Sequence, residues 1–196
     1  GTVGHGLNSA PNMVIIKNRD SSPNGQWVIG QDLSGFTGQV YFDTGAFSTN
    51  SGSFDNTAPT STVVTINTDN TVNEGTDKFV MYCFHSVEGY SKIGEYTGNG
   101  STDGTFVYTG FRPAFVMTKK TSGSGNWYIN DTGRYTFNPT GGHLYADLNN
   151  AESGTGIDIL SSGFKPRNTD SSQNASGGTY IYMAFAEQPF KFSNAR

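Results

Sequence analysis

The sequence predicts an all-β protein made of two tandem, homologous domains of β-sandwich or jelly-roll type that arose by internal duplication. Three observations predict it. Gly (26 of 196 residues), abundant Thr, Ser and Asn, and only 14% charged residues disfavour long helices, because these types are poor helix formers and good turn formers. Short β-branched and aromatic runs recur between Gly, Pro, Asn and Asp clusters, which is the pattern of strands and their connections. Finally, the runs themselves repeat in order. Residues 79–85 match 180–186 at an offset of 101, residues 26–29 match 126–129 at 100, and residues 11–17 match 113–119 at 102. The second pair holds the only two tryptophans, Trp27 and Trp127. Ordered matches at nearly constant offset mark an internal repeat, and a period of about 100 residues is domain-sized. The expected domains are 1–100 and 101–196, with the boundary in the Gly-rich stretch 99–104.

Each expected strand has its own warrant. Residues 13–17 form a β-branched run bounded by Pro11 and by the turn-rich segment 18–25, and residues 26–30 carry the returning strand. The same hairpin is expected from 114–120, 121–125 and 126–131. Residues 39–43 give a third strand, with 142–147 as the later equivalent. The polar stretch 44–60 is too poor in large aliphatics for a core strand. Residues 63–66 restore the strand pattern and are matched by 157–160 and 163–165. The strands over 79–85 and 180–186 are apolar on both faces, because alternate side chains point opposite ways and both sets are apolar. Such strands are expected at the centre of a sheet, covered twice. Trp27 and Trp127, each in an apolar strand after a similar turn, are expected at equivalent buried positions.

Composition bounds the function. A net charge of −4 with twelve scattered Lys and Arg gives no basic footprint for nucleic acid. No run approaches the roughly 20 apolar residues of a membrane span. The single Cys83 reads as a small core residue where the second copy has Ala184. His5, His85 and His143 lie far apart and lack the local spacing of a zinc site, so no metal and no cofactor are expected. The acidic stretches 69–74 and 147–152 read as solvated turns, since neither has the spacing of a calcium loop. Asp32, Asp131 and Asp158 are the carboxylates a paired-acid hydrolase would use, but Asp32 and Asp131 also read as ordinary strand-end residues. No nucleophile elbow, zincin motif or phosphate loop occurs, so no enzyme and no catalytic residues are expected. The weak candidate ligand contacts are Tyr135, Phe137 and Tyr145, in or beside a turn-rich segment where aromatic rings with Asn and Asp nearby suit a sugar. Their bland alternative is packing at the end of the sandwich or against a neighbouring subunit.

Several stretches carry a family resemblance: Ala10-Pro11-Asn12-Met13-Val14-Ile15-Ile16-Lys17, Val87-Glu88-Gly89-Tyr90-Ser91-Lys92-Ile93-Gly94-Glu95-Tyr96-Thr97-Gly98-Asn99-Gly100, Thr109-Gly110-Phe111-Arg112-Pro113-Ala114-Phe115-Val116, Asn126-Trp127-Tyr128 and Asn174-Ala175-Ser176-Gly177-Gly178-Thr179-Tyr180-Ile181-Tyr182-Met183-Ala184-Phe185-Ala186. Together they resemble the tandem repeat domain of tail-fibre-like proteins of marine bacteriophages, including cyanophages, over nearly the whole chain. The resemblance implies a non-enzymatic virion structural module, in a tail fibre or tail appendage outside the cell, that contacts other virion proteins and presents loops to a host-surface glycan receptor. The alternative is a carbohydrate-binding module of a secreted adhesin or glycan-processing protein. The ending 189–196 resembles natural C-termini of that family. Gly1-Thr2 resembles Gly104-Thr105 at the start of the second copy, so the chain is expected to be cut from a longer protein. Thin cores and two-sided apolar strands predict self-association as a homo-oligomer, a trimer being the arrangement fibre proteins favour.

Overall fold

In the computed structural model, which describes residues 1–20 and 25–188, the chain divides into two compact units, Gly1–His85 and Ser86–Arg196. All-β architecture holds: every strand pairing is antiparallel, and the α-helices are single turns.

The first unit runs β1 (Thr2–Gly4), β2 (Met13–Asn18), β3 (Trp27–Gln31), β4 (Gly38–Tyr41), β5 (Ser48–Thr49), α1 (Ser51–Phe54), β6 (Val63–Thr65), α2 (Asn70–Asn73) and β7 (Phe79–Phe84). Its main sheet has the order β5-β4-β3-β2-β7, and β1 pairs with β6 in a second, two-stranded sheet. Val14, Ile16, Val28, Phe36, Phe54, Val64 and Val72 form the core, with Phe79, Met81 and Cys83 packed against it. Phe54 is fully buried, so the polar stretch around it supplies no core strand but does supply one core side chain through α1.

The second unit runs β8 (Ser91–Thr97), β9 (Val107–Tyr108), β10 (Pro113–Lys120), β11 (Trp127–Asp131), β12 (Leu144–Tyr145), β13 (Ile157–Leu160), β14 (Gly163–Pro166), α3 (Ser171–Asn174) and β15 (Thr179–Ala186). The sheets are β12-β11-β10-β15-β8 and β13-β14-β9. Residues of both build one core: Tyr96, Val116, Tyr180, Tyr182 and Ala184 from the larger, and Val107, Ile157, Ile159 and Phe164 from the smaller.

The registers of the two main sheets correspond residue by residue. Lys17 faces Trp27 and Val80, and Lys119 faces Trp127 and Ile181. Each lysine donates to a glycine carbonyl just before its tryptophan, Lys17 to Gly25 and Lys119 to Gly125 at 2.7 Å. Each also lies 5.9 Å from the tryptophan ring centroid, within reach of a cation–π attraction. The one-turn helices before β7 and β15 are capped alike, by Asp69 accepting from Thr71 N–H and Asp170 from Ser172 N–H.

Three expectations are corrected. The division falls between residues 85 and 86, not 100 and 101, because β8 hydrogen-bonds along β15 from Thr97↔Thr179 to Ser91↔Phe185 and so belongs to the second sheet. β15 is central as expected, but β7 is an edge strand: it pairs with β2 and, among the described residues, with no strand on its other side. A two-sided apolar pattern reports which faces are covered and is silent on whether a further strand lies alongside. Trp127 is buried at 1% exposure, whereas Trp27 is 36% exposed. The Trp27 ring stacks on Tyr82 and meets Phe42 edge-on, and Tyr82 is itself 45% exposed, so the ring is shielded and not enclosed. Residues 21–24 of the first hairpin turn and the ending 189–196 lie outside the described residues.

Candidate functional site

The three aromatic candidates fall between β11 and β13, Tyr135 and Phe137 in the loop after β11 and Tyr145 at the end of β12. Asp131 ends β11 and accepts the backbone N–H of Arg134 at 2.8 Å, which closes a tight turn of the kind Asp favours. The Arg134 side chain then folds back: its Nε donates to Asp131 Oδ2 at 2.6 Å, one Nη to Glu152 and the other to the Ile129 carbonyl at 3.2 Å. Burial works to raise the Asp131 pKa, but the hydrogen bonds and charge of Arg134 outweigh it and hold the carboxyl below its ordinary value. The guanidinium lies 5.6 Å from the Tyr135 ring centroid.

Tyr135 and Tyr145 are tied to the returning loop. The Tyr135 hydroxyl donates to Glu152 Oε1 at 3.1 Å, and the Tyr145 hydroxyl shares a 2.9 Å bond with Ser153 Oγ. The Glu152 hydrogen bond pushes the Tyr135 pKa up. The Tyr135 ring passes so close to Gly141 that a side chain there would overlap it. Phe137 points outward, 84% exposed. Its neighbour Asn138 clamps the backbone of β13, donating to Ile159 O at 2.8 Å and accepting from Ile159 N–H at 2.9 Å. A large apolar side chain therefore stands in solvent on a loop held from both sides.

Behind these residues lies a layer the sequence reading missed. His143, 3% exposed, stacks on Tyr128 with ring centroids 3.6 Å apart and meets Tyr145 edge-on at 5.0 Å. Among the described residues, neither of its ring nitrogens has a hydrogen-bond partner. Burial, with a smaller push from Arg134, lowers its pKa against the opposing pull of Asp170. The Tyr128 hydroxyl donates to Asp170 Oδ2 at 3.1 Å, and burial raises its pKa. Beneath, Gln173 donates to Asn130 Oδ1 and accepts from Asn168, while Asn130 donates to Thr140 Oγ1 and to Gly142 O. The fully buried amides of Asn130 and Gln173 thus fix both ends of the loop from below. The available signal was an acidic residue three before an arginine inside a loop, Asp131 and Arg134.

The other carboxylates named from the sequence do not gather here. Asp32 lies in the first unit and accepts from Asn12 Nδ2 at 2.6 Å. Asp158 faces Arg167 at 3.5 Å. Among the described residues no three His, Cys, Asp or Glu side chains cluster so as to hold a metal ion, and no helix is long and apolar enough to cross a membrane.

Fold and site define a two-unit all-β protein whose second unit offers a braced, aromatic-tipped loop. The chain belongs to the family described as a domain of unknown function, DUF7483, whose profile matches residues 1–189. No curated protein and no solved structure matches it.

Proposed function

We propose that the chain is a non-enzymatic structural and attachment module, of the kind carried outside the cell by a phage tail fibre or appendage, and that the β11–β13 loop of the second unit is its contact surface. The observation that carries this reading is Phe137, 84% exposed on a loop braced by Asn138 and Arg134. An exposed aromatic on a braced backbone leaves little backbone entropy to lose on binding, which is part of what makes aromatic anchors effective. The rings of Tyr135 and Tyr145 beside Arg134 and Glu152 suit a host-surface glycan, by stacking and by charge-assisted hydrogen bonds.

In this reading the two units are copies of one sandwich. Support comes from the matching registers, the two capped helix turns and the Lys–Gly–Trp contact present in each. The module associates with further copies of itself, as a trimer, and with other virion proteins. The test uses the labelled full chain on a panel of cyanobacterial cells and on immobilised glycans, beside the Phe137→Ser variant. Binding that falls at least tenfold in the variant, with an unchanged melting temperature, is expected. Equal binding by both proteins removes the loop from the reading, and absence of binding to every cell and glycan leaves no attachment role for the chain.

A further inference from the structure

The edge of β7, which carries no further strand among the described residues, has a filled counterpart. Arg19 N–H bonds Lys78 C=O, and alternation along an antiparallel pair then turns the amides of Val80 and Tyr82 toward β2 and those of Phe79, Met81 and Cys83 away from it. By register their counterparts in β15 are Tyr180, Tyr182 and Ala184, which stand opposite Tyr96, Gly94 and Lys92 of β8. One sheet carries a fifth strand at this edge. The other, among the described residues, carries none.

A pocket lies where that strand's anchor would sit. It measures about 270 Å³ and is lined by Val3, Gly4, Ile16, Ile66, Val72, Phe79 and Met81. The second-unit counterparts of Ile16, Val72, Phe79 and Met81 are Thr118, Gln173, Tyr180 and Tyr182, and they surround Tyr96. That ring stacks on Tyr180 at 4.9 Å and tilts against Tyr182 at 6.4 Å, and its hydroxyl donates to the Gln173 carbonyl at 2.8 Å. Tyr96 is 7% exposed. The empty space in the first unit is larger than the roughly 150 Å³ apolar cavity that accepts benzene.

We propose that the β7 edge is an acceptor for an extended polypeptide strand of β8's chemistry, with a glycine opposite Met81 and an aromatic residue two positions on, opposite Phe79, that fills this pocket. Main-chain bonds to Phe79, Met81 and Cys83 supply the pairing and the aromatic side chain supplies selectivity, as in strand addition to other sheet edges. The glycine follows the β8 pattern, in which a Cβ at Gly94 would stand 2.8 Å from the Tyr182 ring; the first-unit edge has Met81 in that place. In the second unit β8 stands directly ahead of β9, so the strand enters the first unit from the N-terminal side of β1.

The test fuses a copy of residues 86–103 directly ahead of Gly1 of the full chain and follows amide hydrogen exchange. The Met81 and Cys83 amides are expected to exchange at least tenfold more slowly in the fusion. Replacing the grafted tyrosine equivalent to Tyr96 by alanine is expected to return most of that protection, with the β15 amides unchanged. Unchanged exchange at Met81 and Cys83 in the fusion overturns the proposal. So does strong protection of those amides in the unfused chain that grows with protein concentration, which would make a second copy the occupant.

Discussion

His143 is enclosed by Tyr128 and Tyr145, with no partner for either ring nitrogen among the described residues, and its charge state couples to folding. Burial lowers its pKa in the folded protein, so below the unfolded value of about 6.5 the unfolded chain takes up a proton that the native one refuses. Stability from this residue is therefore complete above that pH and is lost as the pH falls below it. His143→Phe keeps a stacked ring and removes the titration. The drop in melting temperature between pH 7.5 and 5.5 is expected to be smaller in the variant, and an equal drop would clear His143 of any part in it. The two tryptophans make the second residue-scale prediction. Trp127→Ala removes a buried ring and is expected to cost about 3 to 5 kcal/mol, whereas Trp27→Ala, at a residue 36% exposed, is expected to cost less than half as much in urea unfolding. The sequence placed these residues at one register position but could not grade their burial. Burial depends on what lies over the ring, and Tyr82 and Phe42 come from elsewhere in the chain. Tyr135 and Phe137 were visible as loop aromatics, but the bracing that sets them apart runs through Glu152, Asn138 and β13, at separations that no local pattern reports.

At the scale of elements, strand existence was legible because apolar runs between turn residues are a local property, and most expected strands appear within a residue or two of their predicted ends. Pairing partners were less so. β8 lies just ahead of the Gly-rich stretch 99–104 where the domain boundary is expected, and only its hydrogen bonds to β15 decide which sheet it joins. The acidic stretch 69–74 reads as a solvated turn, but Asp69 there caps the single-turn helix α2, just as Asp170 caps α3. Glycine positions mark where elements press together. A Cβ on Gly163, at the start of β14, would overlap the Val107 carbonyl of β9, a backbone atom that cannot swing aside. Gly163→Ala is therefore expected to cost about 1 to 3 kcal/mol, the range for overpacking a close contact, and to quicken amide exchange in β9 first. Loss spread evenly over β13, β14 and β9 would mean that the sheet yields as one body and that the close contact is not its weak point.

The whole molecule holds two cores of unequal completeness, and each unit carries one tryptophan, which makes them separately observable. The second unit has a fifth strand along β15, a three-stranded second sheet and the buried Asn130, Gln173 and Asn174 amides, each with hydrogen-bond partners, which fix its loops. The first has a two-stranded second sheet, a β7 edge without a further strand among the described residues, and a pocket of about 270 Å³ against Ile16, Val72, Phe79 and Met81. Apolar atoms facing a void forgo dispersion contacts, and an edge strand exposes ladder hydrogen bonds to water, so local opening is easier there. The first unit is accordingly expected to unfold at lower urea than the second. Trp127→Phe leaves Trp27 as the reporter of the first unit, and Trp27→Phe leaves Trp127 as the reporter of the second. The Trp27 transition is expected to come at the lower midpoint, and filling the pocket by Val72→Leu is expected to raise that midpoint without moving the Trp127 transition. Coincident midpoints in the two single-tryptophan proteins would show one cooperative body, and the reverse order would show that the open edge and the pocket do not govern stability.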